Sequence, residues 1–324
     1  MYSEEDLNSA VAAGVLTEAA AAGLRAHAAQ RRLTPAVDEE HFRLVTGFND
    51  IFVVIACALM LAAIYWIGSA AAAWLGAAAA AAAAWLLAEF FVRKRRMALP
   101  AIVLLLAFVG ALAALGAVAN SYAACALCAA GAALHWQRFR VPITIAAGVG
   151  AALALIGATI AGLIPAAHEY PLPIFLGAGI AAFALALYWD STDTLRQTRR
   201  ADVAFWLHLL AAPLLVHPVF TVLRVTGDTV GTVQIAAVVI LYIGIAVVSL
   251  AIDRRALMVS ALAYVLYAFS ALLKQYGMVS LNFAATAAAI GGALLLLSAY
   301  WQPSRAFVLK FVPPAWRAKL APLR

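Results

Sequence analysis

Charge is what this sequence has least of. Only 11% of its 324 residues are Asp, Glu, Lys or Arg, where an ordinary soluble domain carries about 25%. After residue 46 no polar stretch is long enough to form a soluble unit. Cysteine is nearly absent too. Cys57, Cys125 and Cys128 all lie inside apolar runs, which argues against an exterior domain built on disulfides. No HExxH, GxSxG, phosphate-binding loop or carboxylate pair occurs within those runs. Hydrolysis and phosphoryl transfer therefore lack a motif, and neither a metal nor a cofactor is expected. Met1–Asp6 has no basic segment leading into an apolar one, so a cleavable signal is not expected and insertion should use the first span.

What fills the chain instead is apolar: 66% of residues are hydrophobic and the mean hydropathy is +0.97. The runs do not alternate in polarity as barrel strands would. They are about 20 residues long, as a hydrocarbon layer of roughly 30 Å requires of a helix. The expected fold is all-α: a polytopic transmembrane helix bundle of about ten spans with a short N-terminal helical hairpin. The spans are placed at 48–67, 70–92, 97–118, 121–136, 141–164, 172–190, 202–223, 229–252, 255–275 and 279–301. Residues 1–46 form the hairpin, with Gly14 closing its first helix and Thr17 opening its second. Residues 47–302 form the bundle, and 303–324 an interfacial tail.

The basic residues orient this bundle. Of 22 Lys and Arg, only Arg224 and Lys274 fall at odd-to-even connections. The others gather on the opposite side, which by the positive-inside tendency is cytoplasmic. Both termini should lie there, at a bacterial inner membrane. The net charge of +7 is scattered over short loops, so topology accounts for it better than nucleic acid does. The lipid bilayer is the primary partner. Tyr65-Trp66, Trp136, Tyr188-Trp189 and Tyr300-Trp301 stand where headgroups belong. Span two, with Ala77–Ala84, and span five, with Gly148, Gly150 and Gly157, should be interior. Five spans in each half would place the halves in opposite senses, the geometry of an inverted repeat.

The segment Leu7-Asn-Ser-Ala-Val-Ala-Ala-Gly14, continuing through Thr17 to Leu24 and followed by many spans, resembles predicted bacterial membrane proteins grouped as a domain of unknown function. That resemblance covers the hairpin and first span and implies no catalytic residues. In length, span number and cytoplasmic termini the body resembles the drug/metabolite transporter superfamily, although the hairpin is an extra. This resemblance implies a carrier of small solutes.

Span seven holds the main candidate chemistry. His208, His217 and Thr221 interrupt an apolar run that also contains Pro213 and Pro218. Each proline frees the carbonyl four residues earlier, so the helix is expected to kink or open. Nine residues separate the histidines, which places them on opposite faces. His217, Thr221 and Arg224 share one face, and Lys274 and Asn282 lie at comparable depth; together they could line a path for a proton or an anionic solute. The plainer alternative has His217 and Thr221 bonding to the freed carbonyls while Arg224 reaches headgroups. Cys125-Ala-Leu-Cys128 opens span four and could be a redox pair, in a placement similar to that of membrane thiol oxidoreductases related to vitamin K epoxide reductase. A second shuttle pair is missing. Glu89 and Arg93 form an i, i+4 pair, and Asp190, Asp193, Asp202 and Asp253 are read as salt-bridge partners at the cytoplasmic surface. Function thus divides between a small-solute transporter, a scaffold or sensor that pairs with itself or with a protein through residues 1–46, and a thiol oxidoreductase.

A topology experiment checks this reading. Single cysteines at Arg95 and His168 should react with an impermeant thiol reagent from opposite faces of the membrane. Labelling from the same face would contradict the ten-span arrangement.

Overall fold

A computed structural model describes residues 10–24, 48–164, 166–196, 198–223, 232–275 and 282–323. Helix is the only regular structure among them. The long helices are α1 (Phe48–Ala71), α2 (Ala73–Ala88), α3 (Ala98–Ala117), α4 (Ser121–Phe139), α5 (Ile143–Leu163), α6 (Pro171–Thr192), α7 (Arg199–Val222), α8 (Thr232–Ile252), α9 (Ala256–Gln275) and α10 (Asn282–Ala299), followed by the shorter α11 (Trp301–Leu309). Their ends fall within about one helical turn of the apolar segments marked out above. Six helical segments among the described residues are long and apolar enough to cross a membrane: α1, α2 with its extension to Lys94, α3, α5, α6 and α7. The chain is therefore an integral membrane protein. Ser121, His135, Gln137 and Arg138 dilute the apolar character of α4, and the apolar stretches described in α8 and α9, Ala236–Ile252 and Ala256–Leu266, are shorter.

Short turns join α1 to α5 in sequence, and each helix packs on its neighbour. The alanine run of α2 explains the tightest part. Ala77, Ala80, Ala81, Ala84 and Ala88 follow helical spacing along one buried face, against which Cys57 and Leu61 of α1 and Leu104 and Phe108 of α3 close. With no hydrophobic drive between helices in lipid, such small faces supply close van der Waals contact. Large side chains that point outward, Leu59, Leu86, Leu106, Ile156, Ile180 and Ile240 among them, stay exposed. On a soluble protein they would be an aggregation surface, whereas lipid covers them here.

The second half is packed differently from the first. Its principal contacts among the described residues run α6–α7, α7–α9 and α8–α9, so α7 lies on α9 where its counterpart α2 lies on α3. The pair α6–α7 is the most extensive among the described residues. Despite its two prolines, α7 is helical from Arg199 to Val222 without a break. Gly179 of α6 shows how the freed backbone is accommodated. A Cβ there would lie 2.8 Å from the carbonyl carbon of Leu214 and 3.0 Å from its oxygen, the carbonyl that Pro218 deprives of its helical partner. The missing side chain lets the α6 backbone close over it.

Of residues 1–46, where a helical hairpin is expected, the described residues are 10–24. Gly14 adopts φ +71°, its N–H bonds to the Val11 carbonyl at 3.0 Å, and Thr17 Oγ1 accepts from Ala20 N–H at 3.2 Å. These are the turn and cap expected of those two residues. At the other end of the chain α11 packs against α8, with Trp301 and Arg305 buried.

Gly179→Ala tests the close approach. The methyl group must push two backbones apart, at a cost of about 1–3 kcal/mol, and should lower the unfolding midpoint in detergent, whereas Gly177→Ala, with open space around it, should leave it unchanged.

Candidate functional site

Four turns at one end of the bundle share a feature that is rare outside glycine. Arg96, Arg140, Arg196 and Asp253 take left-handed backbone conformations, with φ of +54°, +56°, +53° and +58°. A non-glycine residue there costs on the order of 1–2 kcal/mol and persists only where its surroundings hold it. For Arg196 and Asp253 those surroundings are each other.

The α6–α7 turn begins where Ser191 and Thr192 hydroxyls donate back to the carbonyls of Tyr188 and Trp189, at 2.7 Å each. Asp193 then leaves the helix. Its carboxylate accepts from the Thr198 amide at 2.8 Å and hydroxyl at 2.7 Å, which closes the turn and sets the start of α7. Arg196, only 2% exposed, points from this turn into the α8–α9 turn. Its guanidinium donates to Asp253 Oδ2 at 3.2 Å and to the carbonyls of Ile252 and Asp253 at 3.2 and 3.0 Å. The other oxygen of Asp253 accepts the Trp301 indole N–H at 2.7 Å and lies 3.8 Å from Arg305 Nε. One carboxylate thus ties α11 to both turns.

The neighbouring residue builds the second half of the site. Arg254 is fully buried and donates to Asp190 Oδ1 at 2.7 Å and to the Ala201 carbonyl at 3.0 Å. Asp190 Oδ2 meets His208 Nε2 at 2.8 Å. A carboxylate is an acceptor, so this nitrogen carries the proton and donates. The His208 ring is wholly buried and stands edge-on to Phe183, 5.4 Å between ring centres. Asp190, His208 and Arg254 form a compact charge-assisted set beside the α6–α7 seam.

His208 therefore occupies a built site, on the opposite side of α7 from His217. His217 is exposed and shares a 2.5 Å hydrogen bond, through Nδ1, with the hydroxyl of Tyr264. The Thr221 hydroxyl donates to the His217 carbonyl at 2.8 Å. Neither uses a carbonyl that a proline has freed: His217 turns to α9, and Thr221 bonds back within its own helix. Arg224 lies outside the described residues, as do the side chains of Lys274 and Asn282. Cys125 and Cys128 are not disulfide-bonded. Cys128 is buried, and its thiol donates to the Val109 carbonyl of α3 at 3.4 Å, in the manner of a small packing residue. Among the described residues no three His, Cys, Asp or Glu side chains gather as metal ligands.

Two further polar contacts went unread in the sequence. Glu89 begins a π-helical extension of α2, Glu89–Lys94. It pairs not only with Arg93 at 3.3 Å but with Arg138 of α4, both of its oxygens engaged at 2.6 and 3.0 Å. His135 of α4, buried among Trp85, Phe108 and Phe139, shares a 3.1 Å hydrogen bond with Thr144 of α5. Of the aspartates expected as salt-bridge partners at the surface, Asp190 and Asp253 do form ion pairs, and Asp193 bonds to Thr198. Asp202 and Asp253 are buried and Asp190 is half-buried, not at an open surface. The one sequence signal was recurrence: acidic residues end or begin successive apolar runs on the side where the arginines gather.

Asp253 separates charge from backbone strain. Asp253→Asn keeps an oxygen for Trp301 and tolerates the left-handed turn, so its loss should be the smaller. Asp253→Ala leaves Arg196 buried without its carboxylate and should cost about 3–5 kcal/mol, read from unfolding in detergent. Equal, small losses would show that the pair contributes little. Comparison with family models, with curated proteins and with solved structures finds no match for this chain, and the site is read from its own chemistry.

Proposed function

We propose that this protein is a multi-pass carrier of a small solute, with Asp190, His208 and Arg254 as its working site. One observation carries the reading: three ionisable groups, Asp190, His208 and Arg254, are held beside each other on and between helices that are mostly apolar. Ionisable groups in such helices are costly, and their usual purpose is to bind or relay something charged. Asp190 offers one oxygen to Arg254 alone and the other to both Arg254 and a histidine that must donate. A solute or proton that competes for this carboxylate releases one partner, and α6, α7 and the α8–α9 turn then have a reason to move. Ten crossings, with the arginine-rich end and both termini at the cytoplasmic face of an inner membrane, complete the proposal. The length and the ten expected spans, in which the sequence resembles the drug/metabolite transporter superfamily, are compatible with it.

The test is transport by purified protein in liposomes, recorded as solute-induced current on supported membranes across a panel of amino acids, organic anions, amines and sugars. At least one class should give a current, and Asp190→Asn and His208→Asn should abolish it while the protein remains folded and monodisperse. A folded wild-type protein silent on every class, or an Asp190→Asn variant as active as wild type, would remove the proposal.

A further inference from the structure

We infer that residues 318–323 are a strap that closes the arginine-rich end of the α6–α7 seam and regulates access to Asp190. The inference rests on the carrier reading for its purpose but on separate contacts for its existence. After α11 the chain turns back through a short helix, Pro314–Arg317, and Arg317 fastens this turn by donating to the carbonyls of Leu309 and Val312. The segment that follows has no regular structure of its own. It is held by two anchors. Leu320 packs into the apolar cluster of Ala212, Ile252 and Leu257, beside Phe183 and Leu187, so its side chain reaches between α6, α7 and the α8–α9 turn. Arg305 donates to the carbonyls of Ala321 and Pro322.

What the strap covers is the site. Lys319, Leu320 and Ala321 form one wall of a small cleft whose other walls include Asp190, Thr194 and Arg196. The same Arg305 that grips the strap stands beside Asp253, which holds Arg196. Strap and charge network therefore share a residue. The strap's anchors are one half-buried leucine and two neutral carbonyls, whose bonds to Arg305 water can replace when the strap lifts, whereas the pairs beneath it join carboxylate to guanidinium. That difference makes the strap the element that opens first.

Thiol accessibility tests it in the full-length protein. With Cys57, Cys125 and Cys128 replaced by Ala, a Thr194→Cys reporter beneath the strap and a Leu163→Cys control at the far end of α5 are labelled with a polar maleimide in detergent. Leu320→Asp should speed labelling at position 194 about tenfold, since a half-buried leucine no longer holds the closed form, and leave position 163 unchanged. The milder Leu320→Ala should act in the same direction. No change at 194, or acceleration at both positions in both variants, would overturn the strap, the second because Leu320 would then be part of the global core. Flux separates this from the carrier reading. Faster uptake by Leu320→Asp supports the regulatory role, and unchanged uptake with faster labelling overturns it. Faster labelling in a protein whose every form is silent defeats the carrier and leaves the strap standing.

Discussion

A buried guanidinium must find acceptors, and much of the second half of this molecule is arranged around that demand. Arg196, Arg254 and Arg305 are each almost fully withdrawn from solvent. Two carboxylates and a handful of carbonyls receive them. Taking such charges from water costs several kcal/mol per ion, so the pairs are weak evidence of net stability but strong evidence of a specified geometry. Once Arg196 is inside, the α8–α9 turn has to present its carbonyls inward. That requires a left-handed residue, and Asp253 is it. Once Asp253 is inside, Trp301 and Arg305 must come to its other oxygen. The path of the chain after α10 follows from one charge.

α7 is the element that connects this network to the apolar body. Its starting turn is fixed by Asp193 and Thr198, its buried face carries His208 to Asp190, and its exposed face carries His217 to Tyr264. Its prolines create an unsatisfied carbonyl at the point where Gly179 lets α6 approach. The most extensive helix contact among the described residues thus includes a place built from deficits: no side chain on one helix, and no amide hydrogen on the other.

The helical architecture was legible because hydropathy reports it directly. Apolar runs and the arginines between them gave the helix positions, and the small-residue face of α2 was visible as composition, whereas α5, expected to be interior, is buried only at its start, at Ile143, Thr144 and Ala146. The polar site was legible only in part. His208 stood out as an ionisable residue in an apolar run, yet its partners are distant in sequence. Asp190 and Arg254 lie at the ends of their apolar runs, where charges are ordinary, and a topology rule explained them too easily. Pairing across turns depends on which loops meet, and a single chain without alignment contains no record of that. Arg305 was missed for a related reason. Its segment looks like an amphipathic surface helix until the fold supplies Asp253 beneath it.

The contacts of α4 bear on where it stands in the bundle. By composition this helix partitions poorly on its own, since it carries a histidine, a glutamine and an arginine. Those polar groups find their complements on the helices before and after it: Glu89 of α2 takes Arg138, and Thr144 of α5 takes His135. The two contacts sit at one end of α4, so the polar half of that helix is matched by its neighbours while its more apolar half needs mainly packing, and its place in the bundle is set by partners that α3, apolar throughout, does not require.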